Sequence, residues 1–363
     1  MLQQAVADFV RREAPNDRIA RIFQQQNGYD VTLFRKGAEA GWLGLMIPER
    51  YGGQGGSVTD AVVAFEELGR APMPGPFFSS GILAPAIVEA SGSAEHAERL
   101  LPGLASGEIV LTLAGVDSGL GWGPELVETT LSRSGGELVL NGRKAYVHDA
   151  EAATGYIVLA RDERGVSAVL VERGTPGVTV SRKEGLFAAL GEVAFDNVRV
   201  PESALIGQAG RGWDILETAL ERVLLVLCSY KVGGCQQIFD FTVEYSRERV
   251  VFGQPIGRFQ RVQDHIVDLA DSMDSARLIT WEALWKLESG KADASAAVHE
   301  AKAVASQGYY DVCNFSHMVH AGPGTALEHP LMQHSLLSRA LYQYLGDPAY
   351  HKRRMMDALF PRA

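Results

Sequence analysis

Hydrophobic periodicity changes twice along this chain, and those two changes constrain its fold more than any other feature. Residues 1–108 carry apolar residues at helical spacing; in the segment from Val58 to Leu68, Val58, Val62 and Phe65 fall on one side. Glycine and proline clusters at 52–56 and 72–76 separate the helices. From 109 to 205 the apolar runs become short. Strands are predicted over Ile109 to Leu113, Glu137 to Leu140, Gly155 to Ala160, Ser167 to Val171, Gly177 to Val180 and Glu192 to Val200. Turn sequences such as Ser134-Gly135-Gly136 and Asp162-Glu163-Arg164-Gly165 lie between them, and Pro201 stops the last. Helical spacing returns near 210. It predicts helices from Trp213 to about Gln236, then over 237–252, 259–289 and 293–321, with another after Pro330. The pattern predicts an α+β multidomain chain: an N-terminal helical domain at 1–108, a middle β sandwich or barrel at 109–205, and a C-terminal helical bundle at 206–363.

A length of 363 residues is too great for one simple core and fits two or three domains. The net charge of −10 argues against a nucleic-acid partner, although local arginines can still bind a phosphate. Cys228, Cys235 and Cys313 form no Cys-x-x-Cys pair; Cys228 and Cys235 are seven apart and share a helix face, as buried core cysteines would. A reducing cytoplasm fits that usage. The N-terminus is charged at Asp8, Arg11, Arg12 and Glu13, so no leader is expected, and no apolar run is long enough to predict a membrane span. His317, His320, His329 and His334 are scattered around a loop and are expected to be surface or capping residues, with no metal site.

The densest chemical signal is Glu248-Arg249-Val250-Val251-Phe252-Gly253, followed by Pro255, Ile256, Phe259, Gln260 and Gln263. Arg249 offers a planar cation suited to phosphate. Phe252 offers an apolar face to a flat ring, and Gly253 and Pro255 break the helix. A cation, an aromatic and amides around one helix-helix turn suit a nucleotide, and equally an ordinary turn with a surface arginine. A second candidate is Glu221. With Asp214 and Glu217 it could form a solvated acidic stripe. Yet Val223 to Leu227 are apolar on all sides, which predicts a buried helix and a carboxylate whose pKa is raised.

The spacing Arg249-x-x-Phe252-Gly253-x-x-Ile256-x-x-Phe259-Gln260-x-x-Gln263 resembles the acyl-CoA dehydrogenase family. So do the run from Gly41 to Gly53, Glu66-Glu67-Leu68-Gly69-Arg70, Leu140 to Lys144, and Val193 to Pro201. The resemblance covers essentially the whole chain and implies a flavoprotein oxidoreductase of fatty acid metabolism. In such an enzyme a carboxylate takes the α proton of an acyl-CoA and FAD takes the β hydride. By resemblance Arg249, Phe252 and Gln260 hold FAD, often that of a neighbouring subunit, and Gly322 and Gly324 form the turn beside it. Tyr146 and His148 fall where the family has an aromatic and a threonine near the flavin, and Tyr146 is placed to shield the ring. The loop Leu113-Ala114-Gly115-Val116-Asp117-Ser118-Gly119 departs from the family's Thr-Glu-Pro sequence.

The family's usual base is a glutamate in a Tyr-Glu-Gly-Thr motif. Here Tyr344-Leu345-Gly346-Asp347 stands in its place, and Leu345 cannot take a proton. Some relatives carry the base on an earlier helix, directly before an arginine; Glu221 and Arg222 match that position. Asp347 is the other candidate, although Asp347-Pro348 looks like a helix N-cap. The Leu345 N–H keeps the capacity to donate to a substrate carbonyl. The expected partners are an acyl-CoA substrate, an electron-transfer flavoprotein as acceptor, and like or unlike subunits in a dimer or tetramer. A half-site subunit of a heteromeric dehydrogenase, without turnover of its own, is the competing function.

Overall fold

A computed structural model of the chain describes residues 1–24, 29–117, 119, 121–183 and 189–360. Ser118, part of the loop singled out above, lies outside the described residues. The elements begin with helices α1 (Leu2–Glu13), α2 (Asn16–Gln24), α3 (Val31–Glu39), α4 (Val58–Gly69), α5 (Ala84–Ala90) and α6 (Ala94–Ser106). Strands follow as β1 (Leu111–Ala114), β2 (Thr130–Ser134), β3 (Glu137–His148), β4 (Gly155–Asp162), β5 (Gly165–Glu172), β6 (Val178–Arg182), β7 (Leu190–Pro201) and β8 (Leu205–Ile206). The last third holds α7 (Gly212–Glu248), the two-residue strands β9 (Val250–Val251) and β10 (Gln254–Pro255), α8 (Gln260–Glu288), α9 (Ala294–His320), α10 (Pro330–Gln343) and α11 (Pro348–Leu359). Helices first, then strands, then long helices is the order that the periodicity predicts.

Two compact units partition the chain, Met1–Gln25 with Thr59–Met73 and Leu224–Ala363, and Gln26–Val58 with Pro74–Val223. The first is helical. Its centre is α9, which packs against α8, α10 and α11. Residues 224–235 of α7 are buried around the whole helix. Within this unit α4 and α7 cross backbone to backbone: a methyl group on Gly69 would collide with the Tyr230 carbonyl, and one on Gly233 with that of Glu66. Only glycine at both positions allows so close an approach. Cys228, Cys235 and Cys313 are free thiols buried in this core, as the spacing of the first two predicts.

The second unit is built on the sheet β6-β7-β3-β2-β4-β5-β8, with β1 added parallel to β4. Leu138, Leu140, Val147, Val158, Val169, Val193 and Phe195 form its apolar core. Buried Tyr156 adds its ring there and donates its hydroxyl to the Ala150 carbonyl at 2.9 Å. A buried phenol needs such an acceptor.

Three expectations are corrected. The helices predicted over 213–236 and 237–252 are one helix of 37 residues. Gly233 sits at the crossing with α4 and Gly234 against the Tyr309 ring, and neither ends it. The strand β2 has no counterpart in the sequence reading, because only Leu131 of its five residues is buried, so no alternation marks it. The segment after 248 is a small antiparallel hairpin, pairing Gln254 with Val251 and Pro255 with Val250, where helix was expected to continue to 252. Among the described residues no helix is long and apolar enough to cross a membrane.

Candidate active site

The hairpin β9–β10 presents the nucleotide candidates. Its tip is Phe252-Gly253, with φ of +53° and +78°. Positive φ at both central residues is the two-residue hairpin turn that usually takes Asn-Gly. Phenylalanine in that conformation costs about 1–2 kcal/mol, and its ring is 93% exposed. Apart from an edge contact with Phe259, this strained aromatic faces solvent. Arg249 starts the hairpin, donating its N–H to the Tyr245 carbonyl and accepting from Ile256, both at 2.9 Å. Its side chain is exposed and makes no ion pair among the described residues. Phe259 caps α8, its ring 6.4 Å from that of Phe252, and Gln260 is the first, exposed residue of α8. Arg249 and Phe252 thus lie on the hairpin, and Gln260 begins the helix that follows it.

Tyr245, one helical turn before Arg249, stacks on His320 at 4.2 Å. His320 ends α9, and Gly322 and Gly324 form the turn that follows. Gly322 is exposed; Gly324 is buried against His320 and Leu331. Of the four histidines nearby, expected at the surface or as caps, His320 and His334 are instead buried and His317 is half-buried. His317 Nε2 lies 2.7 Å from Ser335 Oγ, and His334 Nδ1 lies 2.7 Å from the Tyr309 hydroxyl. Burial keeps them neutral, pushing His320 down to about 4 and His334 to about 3. His329 does cap α10, accepting from the Leu331 N–H.

A second turn joins α10 to α11. Leu345 has φ +60° and a fully buried side chain. Its carbonyl accepts from His351 Nε2 at 2.9 Å, and the Gly346 carbonyl accepts from Lys302 Nζ at 3.0 Å. The Gly346 N–H is bonded to Gln343, whereas the Leu345 N–H has no hydrogen-bond acceptor among the described residues. A buried backbone N–H without a partner is rare and marks a place where a ligand oxygen fits. Asp347 caps α11, accepting from the Tyr350 N–H at 2.7 Å, as the Asp-Pro sequence predicts.

In the strand-containing unit, the beginning of α7 carries Glu221 and Arg222. Asp214 is exposed and bridges Arg211 at 2.8 Å, while Glu217 and Glu221 are half-buried. Burial therefore rises along the acidic row. Glu221 is less deeply buried than the run of apolar neighbours predicts, because that run begins two residues beyond it, after the exposed Arg222. Arg222 is half-exposed and pairs with Glu89 at 3.3 Å. Burial pushes the Glu89 carboxyl up, and the Arg222 cation opposes that shift.

Around β3, Tyr146 stands at a register irregularity between Lys144 and Val147. Its φ is +54°, its ring is 41% exposed, and Lys183 Nζ lies 5.6 Å from the ring centre. Bulges of this kind re-aim a side chain. His148 is buried at the end of β3, paired with Leu190, and its carbonyl accepts from the Thr112 hydroxyl at 2.7 Å.

Two groups here were not foreseen as site residues. Lys144 is wholly buried, 2.5 Å from Asp117 Oδ2, and donates to the Gly115 carbonyl at 3.2 Å. Asp117 also accepts from the Thr129 N–H at 2.9 Å and from the Thr129 hydroxyl. Burial pulls Lys144 down to about 8 against the pull of Asp117. Asp149, with φ +56°, accepts from Ser79 at 2.6 Å, and burial pushes it up to about 6. The only sequence hints were Lys144 at the end of the Asn-Gly-Arg-Lys run and Asp117 in the altered loop.

Comparison with known proteins covers nearly the whole chain. Three family models match: the acyl-CoA dehydrogenase N-terminal domain over residues 1–108, the middle domain over 114–198, and the C-terminal domain over 210–360. An acyl-CoA dehydrogenase of Bacillus subtilis (strain 168) is 30% identical, covering 78% of this chain and 77% of the relative. Acryloyl-CoA reductase (NADH) of Anaerotignum propionicum is 29% identical, covering 97% of this chain and 92% of the relative. Among solved structures, the ChsE4–ChsE5 complex from Mycobacterium tuberculosis is similar with a TM-score of 0.87 and 25% identity, covering all of this chain and 97% of the matched one.

Proposed function

The chain belongs to the acyl-CoA dehydrogenase family of flavin-dependent oxidoreductases acting on CH–CH groups, and from that premise we propose that it desaturates an acyl-CoA thioester with Glu221 as the base. The observation that carries this reading is the buried N–H of Leu345, without an acceptor among the described residues, on a turn whose side chain cannot take a proton. That N–H supports one half of the proposed chemistry, a donor for developing oxyanion charge. The other half, proton removal, needs a carboxylate, and Glu221 precedes Arg222 as the bases of some relatives precede an arginine. Its half-buried carboxylate takes the α proton, and the Leu345 N–H donates to the thioester oxygen as negative charge develops. FAD, when bound, accepts the hydride from the β carbon.

The residues of the chain suit that cofactor. Arg249 offers an unpaired cation for the pyrophosphate, and Phe252 an exposed ring for the adenine. Gln260, Gly322 and Gly324 complete that part, while Tyr146, Arg222 and His148 are proposed to stand near the flavin and substrate. The division into domains at 108 and 205 belongs to this proposal, as does an electron-transfer flavoprotein as acceptor. Arg249→Ala should weaken flavin binding about tenfold to a hundredfold, the effect of losing a charge-assisted contact of about 1.5–3 kcal/mol. Absorbance of the purified variant checks it; undiminished flavin content would remove Arg249 from the site.

We also propose assembly into at least a dimer, and a tetramer by preference. Along α8, Val267, Leu278, Trp281 and Trp285 recur on one face and are 37–68% exposed. They give α8 an exposed apolar face that a second copy would cover. Sedimentation at micromolar concentration should show an oligomer, and a monomer would contradict the assignment. The second reading is a half-site subunit of a mixed assembly, favoured by Leu345 in place of the usual base. A yellow oligomer that turns over acyl-CoA alone supports the first reading; a colourless chain without turnover supports the second.

A further inference from the structure

Beneath the Leu345–Gly346 turn lies a group of basic side chains with almost no access to water. Lys302, Lys231, His351 and His299 are 0%, 1%, 1% and 6% exposed. Lys231 and Lys302 both donate to Ser306 Oγ, at 2.7 and 3.1 Å. Lys302 also donates to the Gly346 carbonyl, and His351 Nε2 to the Leu345 carbonyl. That second bond fixes the tautomer. With its proton on Nε2, His351 must accept at Nδ1 from His299 Nδ1, 2.9 Å away. Both rings are then neutral, in keeping with burial, which pushes His299 down to about 4 and His351 far below its ordinary value. Lys302 is pulled down only to about 8, so near pH 7 it remains charged, whereas Lys231 is driven much further.

Burying an ammonium and two imidazoles here is expensive, and apolar side chains of the same volume would pack at lower cost. What the polar groups do that apolar ones cannot is grip consecutive carbonyls of one turn. Those carbonyls belong to the two peptide planes immediately after Leu345. Pinning both, with Leu345 at φ +60°, denies the preceding plane the rotation that would bring its N–H to an internal acceptor. We propose that Lys302 and His351 are positioning residues that hold the Leu345 N–H free for the thioester oxygen of a bound acyl-CoA. The identity of that ligand rests on the acyl-CoA reading; the grip on the turn does not.

Two readouts keep the claims apart. The first is amide hydrogen exchange on the purified protein without substrate. Lys302→Met should accelerate exchange at residues 345–347 while α9 and α11 stay protected. The second is binding of a chain-length series of 3-oxoacyl-CoA thioesters, whose enolates carry the oxyanion, against their saturated counterparts. Lys302→Met should weaken enolate binding about tenfold, the effect of a misaimed charge-assisted bond, and leave saturated thioesters unchanged. Turnover should fall about a hundredfold in kcat with KM little altered, as for a misplaced donor. His351→Phe should move the same readouts, and it serves if the lysine variant does not fold. Unchanged exchange at 345–347 overturns the grip. Faster exchange with unchanged enolate preference overturns the link to the oxyanion. If the wild type binds no acyl-CoA, the acyl-CoA reading and this oxyanion role fail together, and exchange alone decides the grip.

Discussion

Glu221→Gln should lower acyl-CoA turnover by about 10²–10⁴-fold, the usual worth of a general base, and leave flavin bound. Glutamine keeps the size of the side chain and its hydrogen-bonding edge but cannot hold the proton. The expectation gains force from what the other candidates are doing. Leu345 has an apolar side chain, and the Asp347 carboxylate is occupied in capping α11. Asp347→Asn therefore serves as the control. Asparagine caps a helix as well as aspartate does, so stability and turnover should both be nearly unchanged. Near-normal turnover by Glu221→Gln would refute its role as base. A wild-type chain that binds flavin but turns over no acyl-CoA would favour the half-site reading.

Asp117→Asn should cost about 3–5 kcal/mol of stability, because it strands a buried charge. Lys144 has no exposure to water, and among the described residues its other hydrogen bond goes to the Gly115 carbonyl. Asparagine can still accept from the Thr129 N–H and hydroxyl through Oδ1, so the loss falls on what Oδ2 held, the Lys144 ion pair and the longer 3.2 Å bond from the Glu128 N–H. The double variant Asp117→Asn/Lys144→Met should recover most of the loss, since it removes both ends of the ion pair. Denaturant unfolding of the four proteins measures the cycle. A loss of less than about 1 kcal/mol in the single variant would mean that Lys144 is neutral in the folded chain.

Sequence patterns show best what is repeated and local. Helices α8 and α9 fall within a few residues of their expected limits, because their polar faces keep the helical period visible. The middle of α7 has no polar face at all, and there the period gives no guide to where the helix ends. The sheet is legible where residues alternate or run apolar, as in β4 and β7, and illegible at β2, which buries one residue of five. The Arg249 turn was visible because glycine and proline punctuate it. The grip on the Leu345 turn was not. It joins Lys302, Leu345, Gly346 and His351, which share no spacing and meet only through packing. The same holds for Asp117 and Lys144, 27 residues apart.

Tyr146, Phe252, Ala321 and Leu345 share one property: each is a side-chain-bearing residue held at positive φ. Three are proposed to meet cofactor or substrate, and the fourth adjoins Gly322. Glycine would relax the backbone at every one of them, so a redesign guided by backbone comfort alone would change these four first. It would obtain a calmer chain and erase the aromatic faces and the fixed turn. On the roles proposed for these residues, thermostability and catalytic competence would compete for the same few positions. An engineer seeking robustness should therefore look instead to exposed helix faces far from these turns.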